Sequence, residues 1–379
     1  MRRYLLYIAM SGLLASGLSS CRQDASGWEQ PDEEARRIYL SAGVGNAVSS
    51  RTPYHPGDSV PTMAHPLNVS VWASTDSIVF SNLGKDGRDN SVAIHTDAHF
   101  QSGNPQLLGA AIYPATGTVY FVGFHPKSKE GASWDAVNGD KDAQYTFTGK
   151  EDVMFAPQIS GQYGTDYEQT PQFHFYHLLT WLRIVMVADK DGANVIQKEA
   201  VSDAWGKIKS LSLINTKNTV TIMNLDGATK DNYPNYVNFT LDEPNKTMSL
   251  YSVGTDDVFV TPEDAESYKS IPTSETEMAY VMCAPVQGVQ EDELGNPVPE
   301  YTLHIKTEHR EMDIPLDLKG DNGNLFNLST MGRVFTILLN FKMGDVISVS
   351  TEISVGGDAD WFTHGTGNGD LKEGDLASN

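Results

Sequence analysis

The side chains able to do chemistry are few, and their spacing does not suit it. His174 and His177 are three residues apart. On a strand that offset sends them to opposite faces, so they cannot hold one metal ion together. Asp140-Lys141-Asp142 and Asp189-Lys190-Asp191-Gly192 begin like calcium loops, but neither continues to a closing glutamate. Both read as solvated turns. Cys283 lies in the apolar run Met278 to Ala284, where a thiol is a buried strand residue rather than a nucleophile. The chain has no Gly-x-Ser-x-Gly elbow, no His-Glu-x-x-His pair, no phosphate-binding glycine loop and no dinucleotide fingerprint. Carboxylates abound, yet sequence nominates no acid–base pair among them. No catalytic residue, metal or cofactor is therefore expected. Of the six tryptophans, some could stack on sugars; Trp181 and Trp205 suit a β core better.

Two reactions on the chain itself are better marked. Arg2 and Arg3 precede an apolar run from Tyr4 to Leu18, followed by Ser19, Ser20 and Cys21. This order reads as a secretory leader, and the run is too short for an ordinary membrane span. Leu18-Ser19-Ser20-Cys21 resembles a bacterial lipobox. That resemblance implies removal of residues 1–20 and a lipid, palmitate included, on Cys21. The second reaction is proteolysis. Arg51 sits in the polar, turn-like segment Val48-Ser49-Ser50-Arg51-Thr52-Pro53, and exposed loop tips are preferred sites of nicking. A cut between Arg51 and Thr52 releases everything before it. Arg36 and Arg37 are alternatives, but cutting there leaves the strand that follows attached.

These features sit on a chain of 379 residues, 40% apolar and 20% charged. That is more than one core usually fills, so two domains are expected. Lys and Arg total 27 against 49 Asp and Glu, a net charge of −22. Nucleic acid is excluded as a partner, because phosphate binding needs a basic face. Two cysteines rule out a disulfide framework.

Period-two alternation dominates the body. Ile38, Leu40, Ala42 and Val44 alternate with Tyr39, Ser41 and Gly43; Leu67, Val69 and Val71 with Asn68, Ser70 and Trp72; Tyr301, Leu303 and Ile305 with Thr302, His304 and Lys306. Each pattern predicts a strand with one buried face. Thr118 to Phe124 is apolar on both faces, as a central strand would be. Phe173 to Val187 and Arg333 to Phe341 are longer runs rich in β-branched and aromatic residues. Near the C-terminal end Ile347, Val349, Thr351, Ile353 and Val355 alternate with Ser348, Ser350, Glu352 and Ser354. The best helix candidate, Ala200 to Ile208, is about two turns long. The fold class expected is all-β, built of sandwiches. Similar numbers of strand candidates flank the polar piece Asp226 to Asn232. The expected organisation is therefore a leader at 1–20, a polar tether at 21–37, one domain at 38–228, and a second at 229–379 ending in a polar tail.

The stretch Phe173-His174-Phe175-Tyr176-His177-Leu178-Leu179-Thr180-Trp181-Leu182-Arg183-Ile184 resembles a signature of Bacteroidales-type fimbrillins. In that family an aromatic-rich strand passes through His-Leu-Leu-Thr into an alternating apolar strand; Trp181 stands where Gln is common. Tyr113-Pro114-Ala115 before Val119 to Pro126 resembles the family's mid-domain strand. Gly332 to Phe341 resembles its penultimate strand, and Ile347 to Ser350 leading to Trp361 its last. The resemblance implies two tandem transthyretin-like β-sandwich domains after a lipoprotein signal peptide. It implies a structural, non-enzymatic fimbrial subunit, exported to the outer membrane as a lipoprotein and assembled with other subunits into a cell-surface fimbrium that supports adhesion to a host or bacterial surface. Maturation by an Arg-specific protease would remove the first strand, with Ile38, Leu40, Ala42 and Val44. Ile347, Val349, Thr351, Ile353 and Val355 would be the donor strand that fills the vacated groove. The alternative is a monomeric surface lipoprotein that binds glycans.

Overall fold

A computed structural model describes residues 36–44, 67–78, 94–100, 106–127, 133–164, 170–192, 194–214, 216–229, 232–240, 247–253, 255, 257–285, 301–316, 331–344 and 346–353. Cys21, Arg51, Thr52 and Val355 lie outside these residues. The chain is all-β, as expected: twenty strands in four sheets, and one α-helix, among the described residues.

The first sheet has seven strands. In chain order they are β1 (Arg37–Val44), β2 (Leu67–Ser74), β3 (Ile94–Phe100), β4 (Gln106–Ile112), β5 (Val119–His125), β8 (Met154–Gly161) and β9 (Gln172–His177); in space the order is β3-β2-β5-β8-β9-β1-β4. The strands skipped in that count, β6 (Asp135–Val137) and β7 (Asp142–Thr146), join β12 (Thr219–Ile222) and β13 (Val237–Thr240) in a second sheet, ordered β13-β12-β7-β6. A third contains β10 (Thr180–Ala188), β15 (Tyr251–Ser252), β16 (Thr276–Cys283), β19 (Val334–Lys342) and β20 (Val346–Ile353), ordered β15-β16-β10-β19-β20. The fourth contains β11 (Ile208–Ile214), β14 (Thr247–Ser249), β17 (Tyr301–Thr307) and β18 (Glu311–Leu316), ordered β14-β11-β17-β18.

Alternation sorts the residues between two cores. Ile38, Leu40, Ala42, Leu67, Val69, Val71, Phe100, Val119, Phe121, Phe173 and Phe175 share one buried cluster, drawn wholly from the first sheet and its connections. The opposite faces of β2, β5 and β8 present Trp72, Val122, Phe124 and Phe155 to a larger cluster, shared with Tyr145, Val220, Ile222 and Phe239 of the second sheet. This explains why the run at β5 is apolar on both faces. That larger cluster continues through β10, β11, β16, β17 and β19. Residue 228 falls between β12 and β13, which are neighbours in one sheet. Among the described residues, β10 and β11 pair only with strands from residue 247 onward.

The helix differs from the sequence expectation. It is α1, Val195–Trp205, starting before Ala200, and Ile208 belongs to β11. Asn194 caps it by accepting the Gln197 N–H, and Gly206 ends it at φ +72°. Val195 and Ile196 are exposed, Ile196 by 76%, so the first turn has no apolar stripe to betray it. Val201 and Trp205, four apart, are its buried face. Trp205 donates its indole N–H to the Lys342 carbonyl (2.8 Å), and the Arg310 guanidinium lies 4.4 Å above its ring.

Candidate functional site

β1 comes first among the described strands and yet lies inside its sheet. It runs parallel to β9, with Ser41 opposite Gln172, Ala42 opposite Phe173, Gly43 opposite His174 and Val44 opposite Phe175. On its other side it runs antiparallel to β4, with Tyr39 opposite Leu107 and Leu40 opposite Gln106. The Ser41 N–H donates to the Pro171 carbonyl (3.0 Å) and the Tyr113 N–H to the Arg36 carbonyl (2.7 Å). Ile38, Leu40 and Ala42 are at most 1% exposed, whereas Tyr39 is 44% exposed. The expected inward set is thus the observed one for these three residues. Burying Ile38 and Leu40 contributes roughly 1.5–3 kcal/mol each. Taking β1 away would leave an apolar groove flanked by the unpaired edges of β9 and β4.

The size of each inward residue follows from its neighbours. Ala42 faces Phe173, whose ring centroid lies 6.5 Å from that of Phe100 and 5.6 Å from that of Phe175. All three rings are fully buried. A small side chain is what that place holds.

β20 is the opposite kind of strand. Among the described residues it pairs with β19 alone, at the edge of its sheet, with Phe341 opposite Ile347, Leu339 opposite Val349, Ile337 opposite Thr351 and Phe335 opposite Ile353. Ile347 and Val349 are partly buried against the larger core, and Val346 is 50% exposed. The structure therefore does not bring the two predicted strands together within one chain: β1 is in the first sheet and β20 in the third.

His177-Leu178-Leu179-Thr180 is a junction and not a ligand set. β9 ends at His177 in the first sheet and β10 begins at Thr180 in the third. Each residue of the crossing is tied down: His177 Nδ1 to Asp152 Oδ1 (2.8 Å), the Leu178 N–H to the Val153 carbonyl (2.8 Å), the Gly332 N–H to the Leu179 carbonyl (3.0 Å), and the Cys283 thiol to the Thr180 carbonyl (3.6 Å). His177 and Asp152 are both buried, whereas His174 is exposed on the other face of β9. Sequence reading missed Asp152, because a lone carboxylate in a loop carries no signal of its distant partner. Burial pushes the Cys283 thiol up to about 12, which keeps it protonated and inert. Asp142 accepts the Asn224 N–H (2.8 Å) and an Asn138 amide N–H (2.9 Å), so its run is a fastened turn. No group of three His, Cys, Asp or Glu side chains is placed to hold a metal ion among the described residues. No helix among them is long and apolar enough to cross a membrane.

Comparison with known proteins adds a family. The model of a family described as fimbrillin-like matches residues 62–283, more than half of the chain. No curated protein matches. Among solved structures, one from Bacteroides uniformis assigned to cell adhesion is 14% identical, with a TM-score of 0.45, over 86% of this chain and 98% of that one. One from Bacteroides thetaiotaomicron assigned to polysaccharide binding is 10% identical, TM-score 0.41, over 84% and 98%. A fimbrial assembly protein from Parabacteroides distasonis is 8% identical, TM-score 0.36, over 83% and 94%. Likenesses this distant say nothing about role.

Proposed function

We propose, from the premise that this chain belongs to the fimbrillin-like family, that it is a structural subunit of a cell-surface fimbrium polymerised by strand exchange. The observation that carries the proposal is the place of β1. It is the first described strand, its inner face completes a core, and both of its edges are paired. Losing it opens a groove that main-chain hydrogen bonds and side-chain pockets can refill only from another strand. Residues 45–66 connect it to β2 and include Arg51, so one cut there frees β1 without touching any other described strand. The edge strand β20, held on one side alone, is the donor. Before maturation the precursor is held at the outer membrane by a lipid on Cys21. Its partners are further subunits, its own copies or related chains, and the finished fibre serves adhesion rather than catalysis. Two transthyretin-like sandwiches suit this role. Dividing them at Leu178-Leu179 keeps the described pairings of β10 and β11 within one domain but parts β12 from β7, whereas dividing at residue 228 parts β12 from β13 and β10 and β11 from their partners.

The test uses the chain from Arg22 onward, which keeps every described strand. It is treated with an Arg-specific protease, the new N-terminus is read by mass spectrometry, and oligomer size is followed. The expected result is an N-terminus at Thr52 and a ladder of oligomers that is lost when residues from Ile347 onward are deleted. Cleavage at Arg51 with no ladder would rule out self-polymerisation and leave an acceptor-only subunit. Resistance at Arg51 would overturn the processing site.

A further inference from the structure

We infer that the groove vacated by β1 selects its occupant by size at Phe173, and so accepts β20 of a second copy in one register. In that register Ile347, Val349, Thr351 and Ile353 stand where Ile38, Leu40, Ala42 and Val44 stood. The inference rests on the strand-exchange reading above and extends it to the register and the residue that enforces it.

Length is the first argument. β1 and β20 are both eight residues long, and this register superposes them end to end, Val346 on Arg37 and Ile353 on Val44. The outward residues match as well. Arg37 and Tyr39 are exposed, and so are Val346 and Ser348; Ser41 is replaced by Ser350, the same residue. Glu352 would replace Gly43, which lies opposite the exposed His174, setting a carboxylate beside an imidazole.

The inward residues decide between registers. The groove reads large, large, small: Ile38, Leu40, Ala42. The small place lies opposite Phe173, a fully buried ring with the buried rings of Phe100 and Phe175 beside it, and in a close-packed core a larger side chain there must displace one of them. Thr351 is the smallest residue of the alternating set Ile347, Val349, Thr351 and Ile353. A slip of two residues one way puts Ile353 against Phe173. A slip of two the other way puts Val349 there and Asp345 in the place of Ile38, a carboxylate in an apolar core. A slip of one turns the serines inward. The sequence Ile353, Val355, Gly357 repeats the size order six residues on, but it leaves Gly357 and Ala359 where Ala42 and Val44 were and buries less apolar surface.

The test pairs a copy carrying Gln172→Cys with copies carrying Ser348→Cys, Ser350→Cys, Glu352→Cys or Gly356→Cys, all starting at Arg22. They are cleaved together and oxidised mildly. Gln172 is exposed and lies opposite Ser41, so Ser350→Cys is expected to cross-link to it after cleavage and not before. Positions two residues away lie beyond disulfide reach. In parallel, Thr351→Leu is expected to cut the ladder by at least about tenfold, through overpacking against Phe173. Val349→Leu, which restores the residue of β1, should leave it within about twofold. Equal melting temperatures before cleavage show that both variants fold. Cross-linking at 348, 352 or 356 instead of 350, or equal effects of the two leucine variants, overturns the register while strand exchange stands. A ladder with no cross-link at any of the four overturns β20 as the occupant. Absence of a ladder from the unsubstituted chain after cleavage at Arg51 overturns self-polymerisation, and this inference with it.

Discussion

Truncating Leu40 to alanine should loosen β1 far more than truncating Tyr39, its neighbour on the same strand. Leu40 is fully buried in the core of the first sheet, whereas Tyr39 is 44% exposed. Removing a buried leucine side chain costs about 2–5 kcal/mol, the lost transfer energy plus the cavity left behind. Surface changes usually stay within about 0.5 kcal/mol. The backbone pairing to β9 and β4 is the same in both variants, so the contrast isolates side-chain burial. A mid-range cost of about 3 kcal/mol is a factor of roughly one hundred in the equilibrium for undocking the strand. Hydrogen exchange of peptides covering residues 37–44, read by mass spectrometry, reports that opening directly. Protection should fall about a hundredfold in Leu40→Ala and less than about threefold in Tyr39→Ala. If the two variants exchange alike, or if Leu40→Ala falls less than about fivefold, β1 is not held by its inward side chains. The idea that its departure opens a binding groove then loses its basis.

Three further outcomes follow from the same packing. Asp152→Ala removes the buried partner of His177 Nδ1 and should lower the urea unfolding midpoint by the equivalent of about 1.5–3 kcal/mol; an unchanged midpoint would mean that the junction at His177 is held by its backbone bonds alone. Stability should decline as pH rises above about 9: unfolded Cys283 ionises near there, while the folded thiol keeps its proton to about 12. The unfolded state then binds fewer protons, at up to about 1.4 kcal/mol per pH unit. Cys283→Ala should flatten the decline between pH 9 and 10, before Tyr233, whose phenol burial pushes up to about 12, adds its own; urea midpoints across that window decide the matter. Gly149→Ala should destabilise by more than about 2 kcal/mol, since φ there is +100° and a Cβ would lie 2.6 Å from Met248 Sδ and 2.9 Å from Val281 Cγ2; a melting temperature equal to the parent's would contradict the close approach.

Much of the fold was legible because strands with one buried face write their period into the sequence. The inward residues of β1, the double-sided burial of β5, the alternation of β17 and the long strand β19 all follow from local pattern. The helix start was not legible, since Val195 and Ile196 are apolar and exposed, the reverse of what a pattern reader expects. The aromatic run into His-Leu-Leu-Thr was visible as a motif, but its role as a crossing between two sheets depends on Asp152, Val153, Gly332 and Cys283, none of which is near it in sequence.

Which residues face inward could be read locally, since side-chain period is a property of the extended chain itself. The sequence also bounded the chemistry, because motifs and net charge need no neighbours to be read. That β1 lies inside a sheet and β20 at the edge of another, and that Ala42 lies opposite Phe173, depended on the folded chain. Strand order is set by pairings between residues far apart in the chain, and each pairing depends on which buried surfaces fit together. No window of sequence contains both sides of that fit.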